Sequence, residues 1–550
     1  MNTTFRYQWL AACVAVWMFA APWLAQAADA PNPIETARRI DQLLAKEVGV
    51  GESAAGRCAD EIYLRRVYLD LVGQTPSVED ILIFTLDPDP NKRQAVVERL
   101  LEDGDYGRNW ARYWRDVVFS RRTEDRAFLA APATTEWLTE QFNSHVSWDQ
   151  IATELITAEG DVREVGSTGL IMAQAGMPED TVSEISRIFL GIQIQCAQCH
   201  DHPTDQWKRQ QFHELAAFFP RVAVRPKNEG EQRSFEVYAT DFAPRFRRPA
   251  GNNRFRGTLE HRMPDLNDPT SAGEVIRPVF FVSGERLEFG TPDADRRGTL
   301  AKWLTSADNP WFAKAYVNRI WAELVGEGFY EPVDDIGPER ECTAPDTMDA
   351  LAAAFTDSGY DCQWLFQTIM ATEAYQRESR SRRSPTETPF QANVAQRLRA
   401  DQLFDALVNA LELPRGLIDG AGARVGGPGG AYGVRAGARQ VFSQAFGYDP
   451  SERREEISGT VQQTLAVMNS PFINGAINAG VTTSLGRLIS QQDDDRTIVI
   501  ELYLRTLSRQ PSDDELATCV EYVRQGDDRR EAFEDVLWSL INSTEFLHRR

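Results

Sequence analysis

Cysteine and histidine are scarce in this chain. Its 550 residues include seven cysteines and six histidines. So few thiols exclude a disulfide scaffold. Positive charge is short as well: 59 Lys and Arg face 81 Asp and Glu, a net charge of −22. Such acidity repels phosphate backbones and argues against general nucleic-acid binding. After residue 27 no stretch offers the roughly 18 uninterrupted apolar residues of a membrane span. There is no Gly-x-Ser-x-Gly elbow and no His-Glu-x-x-His helix, so two common hydrolase designs are absent. What is present is a folding composition, 42% hydrophobic and 10% aromatic. The length suits two or three domains.

Residues 1–27 read as a signal peptide. Arg6 precedes an apolar stretch from Trp9 to Leu24, and Ala25-Gln26-Ala27 is a small-x-small cleavage site. Pro22 interrupts the run, which argues against a permanent anchor. The expected location is therefore exported, periplasmic or at the cell surface. Cleavage removes Cys13 and leaves six cysteines. Two belong to one short motif. Cys58, Cys342, Cys362 and Cys519 allow three disulfide pairings, and spacing does not choose among them.

Helical periodicity dominates the rest. Trp110, Tyr113, Trp114, Val117 and Val118 are spaced for one helix face after Asp105-Tyr106-Gly107. Thr75-Pro76 and Asn309-Pro310 read as helix starts, and the second leads to a face of Phe312, Tyr316, Ile320 and Leu324. Ser512 with Glu515 forms a capping box before Leu516, Cys519, Val520 and Val523. Between 221 and 295 the pattern changes to breakers around short apolar runs. Ser234–Tyr238 and Pro278–Val282 read as strands. The Gly-, Ala- and Arg-rich stretch 420–440 reads as a mobile loop. The predicted fold is mainly α: a helical domain over 28–220, a β-containing connector over 221–295 and a second helical domain over 296–550.

A faint repeat relates YLDLVGQTPSVEDI at 68–81 to YLRTLSRQPSDDEL at 503–516. Each leads to a helix ending in a similar phrase, LLEDGDY at 100–106 and LINSTEF at 540–546, with an echo, IMATEAY, at 369–375. The matched positions are mostly apolar or capping types, which suits a reused packing unit better than a duplicated recognition surface.

The chemistry is concentrated in Cys196-Ala-Gln-Cys199-His200. Two thiols three residues apart on a helical turn can add to the two vinyl groups of one porphyrin, and the next residue can bind the iron axially. Composition gives such a motif by chance in roughly one chain per thousand. Val182, Ile185, Ile188, Phe189 and Ile192 lie just upstream on a periodic segment suited to a ring face. Met263, then His261, is the candidate for the sixth iron position. Two other readings stay open. Cys196 and Cys199 with His200, His202, His213 and His261 could hold zinc or iron, or the two thiols could form a disulfide or redox pair.

Longer phrases then become informative: YLRRVYLDLVGQTPS at 63–77, DYGRNWARYW at 105–114 and IFLGIQIQCAQCHDHPTDQWKRQQFHELAAFF at 188–219. Further on come NPWFAKAYVNRIWAELVGEGFYEPVDDIG at 309–337, YDCQWLFQTIMATEAYQR at 360–377, LRADQLFDAL at 398–407 and LAVMNSPFIN at 465–474. Through them the chain resembles exported planctomycete proteins that pair a cytochrome-like domain of unknown function, PSCyt, with a C-terminal domain, PSD. The resemblance implies a cytochrome-like role for Cys196, Cys199 and His200. The expected function is thus an exported c-type cytochrome-like protein carrying one electron on haem c, with redox proteins or extracellular polymers as partners. The alternatives are an exported binding or scaffold protein whose Cys/His cluster holds a structural metal or disulfide, and a metal-dependent enzyme acting on extracellular polymers. For the last, Asp334-Asp335 with Glu339 offers paired carboxylates.

Overall fold

Helix-forming sequence becomes helix along most of the chain. The computed structural model describes residues 30–51, 54–227, 234–242, 260–268, 270–381, 387–413, 423–424, 435–436, 439, 442–443, 446–452 and 471–550. The leader 1–27 and most of 420–440 lie outside them. The helices are α1 (Pro33–Glu47), α2 (Asp60–Val72), α3 (Val78–Leu86), α4 (Lys92–Leu101), α5 (Gly104–Phe119), α6 (Ala131–Asn143), α7 (Trp148–Thr157), α8 (Gly169–Ala173), α9 (Pro178–Ile185), α10 (Arg209–Ala216) and α11 (Asp293–Leu304). There follow α12 (Pro310–Val325), α13 (Pro345–Asp357), α14 (Cys362–Ala371), α15 (Glu373–Gln376), α16 (Ala400–Ala410), α17 (Pro471–Ile477), α18 (Ser484–Gln491), α19 (Asp495–Leu507), α20 (Asp513–Gln525), α21 (Arg529–Ile541) and α22 (Thr544–Leu547). The fold is mainly α.

The expected α5 face is buried in full, as are Phe312, Tyr316, Ile320 and Leu324 of α12. The helix expected at Thr75-Pro76 starts later. Ser77 caps it through a reciprocal box with Asp80, and two satisfied backbone donors outweigh the proline signal. The connector's β2 (Val222–Lys227) and β3 (Ser234–Ala239) form an antiparallel sheet with β1 (Gly160–Asp161) of the preceding helical region, in the order β1-β3-β2. A second pair joins β4 (Arg262–Met263) to β5 (Glu274–Val275). Pro278–Val282 makes a single antiparallel bridge, Val279 to Arg286, in place of a full strand. It enters a tight loop held by Phe280 N to Glu285 O at 2.8 Å, with Phe280 buried.

The repeat is realised three times. Each copy is a helix closed by a left-handed residue, two further helices, and a capped helix start presenting an aromatic ring, short in the second and third copies and the beginning of α5 in the first. The helices are α2–α3–α4, α12–α13–α14 and α19–α20–α21. The left-handed residues are Gly73, Gly326 and Ser508, with φ of 70°, 98° and 59°. The closing caps are Asp103, Thr372 and Ser543. The rings that follow, Tyr106, Tyr375 and Phe546, are all 0% exposed.

One apolar core runs from Ile40 in α1 to Phe390 and reaches Leu504 of α19, with side chains from before and after the β-containing segment. Trp114, Trp148, Tyr316 and Phe355 stack at its centre. A second core gathers α16 with α17–α22. Among the described residues no helix is long and apolar enough to cross a membrane.

Candidate functional site at the Cys196–His200 turn

The chain reaches the motif through a reversal. A π-turn over Ser186–Leu190 ends at Gly191, whose φ is +64° and whose missing Cβ leaves room for Ile336. A 3₁₀ turn then spans Ile194–Gln198. With three residues per turn, positions i and i+3 share a face. Ile194 and Ala197 therefore point inward and are fully buried, while Cys196 and Cys199 are both exposed. All six described cysteines are free thiols. Cys58 and Cys362 are buried, Cys342 and Cys519 partly so. Burial pushes the Cys362 thiol up to about 12 and raises Cys342 and Cys519 as well.

His200 is exposed, and its Nδ1 lies 2.7 Å from the Asp201 carbonyl. A carbonyl only accepts, so Nδ1 carries the hydrogen and Nε2 keeps its lone pair. The neighbouring turn is tied down by its own groups. Asp201 accepts from the Arg209 amide at 3.1 Å and pairs with Lys208 at 3.2 Å. The Arg209 amide, then Lys208, hold its carboxyl below the usual range. The His202 amide donates to the Trp207 carbonyl, and the Trp207 ring packs edge-on against Phe281.

The imidazoles divide into two groups. His200 and His202 sit in the outer loop. His213 and His261 lie beneath it, 2% and 4% exposed. His213 Nε2 donates to the Gln198 carbonyl at 3.1 Å, so its Nδ1 must accept from His261 Nε2 at 2.9 Å. Burial depresses both imidazoles to about 4. The Gln198 bond opposes that fall at His213, and His213 adds to it at His261. The pair is neutral at pH 7. Both ring nitrogens of His213 are engaged, so it is not free to join His200 on an ion. Among the described residues no three His, Cys, Asp or Glu side chains converge to hold a metal.

Arg209 spans from the Gln198 carbonyl at 3.3 Å to the Pro264 carbonyl at 2.6 Å. It thereby sets β4, with partly buried Met263, beside the motif. The upstream apolar segment has another role than the one expected of it. Val182, Ile185, Ile188, Phe189 and Ile192 are at most 2% exposed and belong to the main core, with Phe189 against Trp148. They are not available as a ring face.

Sequence spacing misses the residues that hold the turn from the other half of the chain. Ile336 N donates to Gly191 O at 2.7 Å. Gly337 lies against the Asp205 carboxylate with no room for a Cβ. Arg340 joins Asp335 to the Thr204 carbonyl and hydroxyl. Gln193 Nε2 donates to Asp334 Oδ1 at 3.1 Å. Asp334 is 1% exposed and faces Arg187 at 2.9 Å, Arg319 at 3.6 Å and Arg121 at 3.7 Å. Burial works against its charge, but the three guanidiniums outweigh that and hold the carboxyl below its ordinary range. A general acid needs the opposite shift, and burial among three guanidiniums makes Asp334 an ion-pair partner. The contacts of Gly191, Gln193, Thr204 and Asp205 with Asp334–Arg340 join residues more than 130 positions apart, which no local pattern encodes.

The donor set fits covalent attachment of haem c: two accessible thiols on one face, followed by an imidazole whose Nδ1 is already bonded. Residues 39–224 match PSCyt2, a protein of unknown function (DUF1549), and residues 296–441 match PSD1, a protein of unknown function (DUF1553). No curated protein and no solved structure matches. The motif lies in the first region and its clasp, Asp334–Arg340, in the second. The chain therefore belongs to the family that joins a PSCyt2 region to a PSD1 region.

Proposed function

We propose that the protein is an exported, c-type cytochrome-like electron carrier, with haem c attached through Cys196 and Cys199 and ligated by His200. One observation carries this reading. The two exposed cysteines of the described chain share one face of one turn, next to an imidazole with a free Nε2. When bound, haem would supply a one-electron iron couple. The chain's residues supply the rest. Asp201's carbonyl fixes the His200 tautomer. His213 and Arg209 fix the turn through the Gln198 carbonyl. Met263 would be the residue to complete the iron's ligands, because His261 is already engaged with His213. Redox proteins outside the cytoplasm are the partners this role requires.

The test is expression with the leader intact in a periplasm containing haem-maturation machinery. The expected product has a Soret band that survives denaturation and is lost in the Cys196→Ser, Cys199→Ser double variant. A colourless wild-type protein overturns the reading. If it holds stoichiometric zinc, the motif is a metal site. If it is metal-free with no titratable thiol at 196 and 199, the motif is a disulfide in a scaffold.

A further inference from the structure

A polar cavity of about 380 Å³ opens between α5 and α16. From α5 come Asp105, Arg108 and Arg112, spaced by three and four residues so that they share a face. Asp405 of α16 faces them, and Arg439 completes the wall. Three guanidiniums thus meet two carboxylates, leaving one positive charge in excess.

The pairing inside is uneven. Asp405 takes both Arg439 Nη groups and also Arg112 Nη1 at 2.8 Å. Asp105 takes Arg108 and, at 2.5 Å, Gln74 Nε2. Among the described residues Arg112 gives only Nη1 to a partner, and its Nε and Nη2 are unmatched there. Its side chain is 17% exposed. Burial lowers its ionisation, a cost that its one carboxylate contact does not fully offset. An under-satisfied guanidinium on a polar cavity is the arrangement that planar oxyanions fill, by a two-point contact. Gln74 and Asn409 add amide groups, while Val72 and Val408 add a small apolar patch. Amides and carboxylates suit hydroxyls, and the apolar patch suits a C–H face.

We infer that this cavity binds a small, hydroxylated monocarboxylate of the sugar-acid class, its carboxylate forked by Arg112. One excess positive charge matches one negative charge, so a dianion such as phosphate is disfavoured. The site lies apart from the Cys196–His200 turn and needs no haem.

Calorimetric titration of the full chain with glucuronate, glucose and inorganic phosphate tests it. Glucuronate is expected to bind one-to-one in the millimolar range or tighter, and glucose at least about tenfold more weakly, since it keeps the hydroxyls and lacks the charge. Arg112→Lys keeps the charge, removes the fork and should lower affinity by about tenfold with an unchanged thermal midpoint. The proposal is overturned by equal binding of glucuronate and glucose, by phosphate binding as tightly as glucuronate, or by an Arg112→Lys protein that is folded and unimpaired. The wild-type comparison stands even if that variant does not fold.

Discussion

His213 and Asp41 titrate in one pH window with opposite signs. His213 and His261 are held at about 4 in the fold, against an ordinary value of 6.5. Below pH 6.5 the unfolded chain takes up protons that the buried pair refuses. Their contribution is complete above 6.5 and lost as pH falls toward 4, at up to about 1.4 kcal/mol per pH unit for each ring. Asp41 is raised to about 7, chiefly by burial and further by Glu373, while the Glu373 amide opposes the rise. Its neutral form favours the fold below pH 4, and that contribution is lost as pH rises to 7. Burial raises Asp70 to about 6, and it acts with the same sign as Asp41, so two carboxyls oppose the two rings and urea midpoints across pH 4–6 should vary little in the wild type. His213→Gln, whose amide can donate to Gln198 and accept from His261, should leave the Asp41 slope exposed, so stability falls with rising pH. Asp41→Asn should give the reverse. Variants that track the wild type at every pH would refute both assignments. At Asp334 the charge is decisive. Asp334→Ala strands Arg187 and Arg319 in the interior, at an expected cost of about 3–5 kcal/mol read from the urea midpoint. Arg187 retains Glu184, which places the value toward the lower end.

Among the elements, α2 and α12 show what periodicity can and cannot reveal. Both are the first helix of a repeat, and both are buried around nearly their whole circumference, from Tyr63 to Val72 and from Ala315 to Val325 with one gap. Phe312, Tyr316, Ile320 and Leu324 read correctly as one inward face. Arg65, Arg66, Asp70, Arg319 and Glu323 are charged and nevertheless interior. Their partners explain it. Arg66 donates to the carbonyls of Tyr375 and Arg377, and Arg65 to those of Thr506 and Phe546, so adjacent arginines of the first copy hold the ends of the second and third. Capping signals such as Ser512-x-x-Glu515 were legible because both partners lie within one turn. The ends gripped by Arg65 and Arg66 were not, because they lie more than 300 residues away. The third copy offers a test. Ser508 occupies a left-handed position where the other copies have glycine, so Ser508→Gly relieves about 1–2 kcal/mol of backbone strain. It also removes the Arg65 Nη1 to Ser508 Oγ bond at 3.2 Å, worth about 1.5–3 kcal/mol at a charged donor. Arg65 Nε already lacks a partner in the interior. The bond outweighs the strain, and the variant should melt slightly below the wild type. A clearly higher midpoint would show that the hydroxyl contributes little.

At the scale of the molecule, the PSCyt2 and PSD1 regions are bound together by one interior. The composition shift at 221–295 was legible and marks real strands, but it does not mark where the core stops. Phe312, Tyr316, Trp321, Met348, Leu351, Phe355 and Phe366 belong to the same apolar cluster as Trp110, Trp114 and Trp148. Burying a side chain of this size contributes about 1.5–3 kcal/mol, so separating the regions forfeits more than a domain's net stability of about 5–15 kcal/mol. The electrostatics point the same way, since Arg187 in one region is neutralised in part by Asp334 in the other. The motif turn is equally shared: Gly191, Asp205 and Thr204 meet Ile336, Gly337 and Arg340. Neither piece cut at 295/296 should therefore fold alone. Expressed separately, 30–295 and 296–550 are expected to be insoluble or to bind a hydrophobic dye; co-expressed, they should co-purify and unfold in one transition. A soluble 30–295 fragment with a cooperative melt would show that the first region owns its core and that the clasp on the Cys196–His200 turn is dispensable.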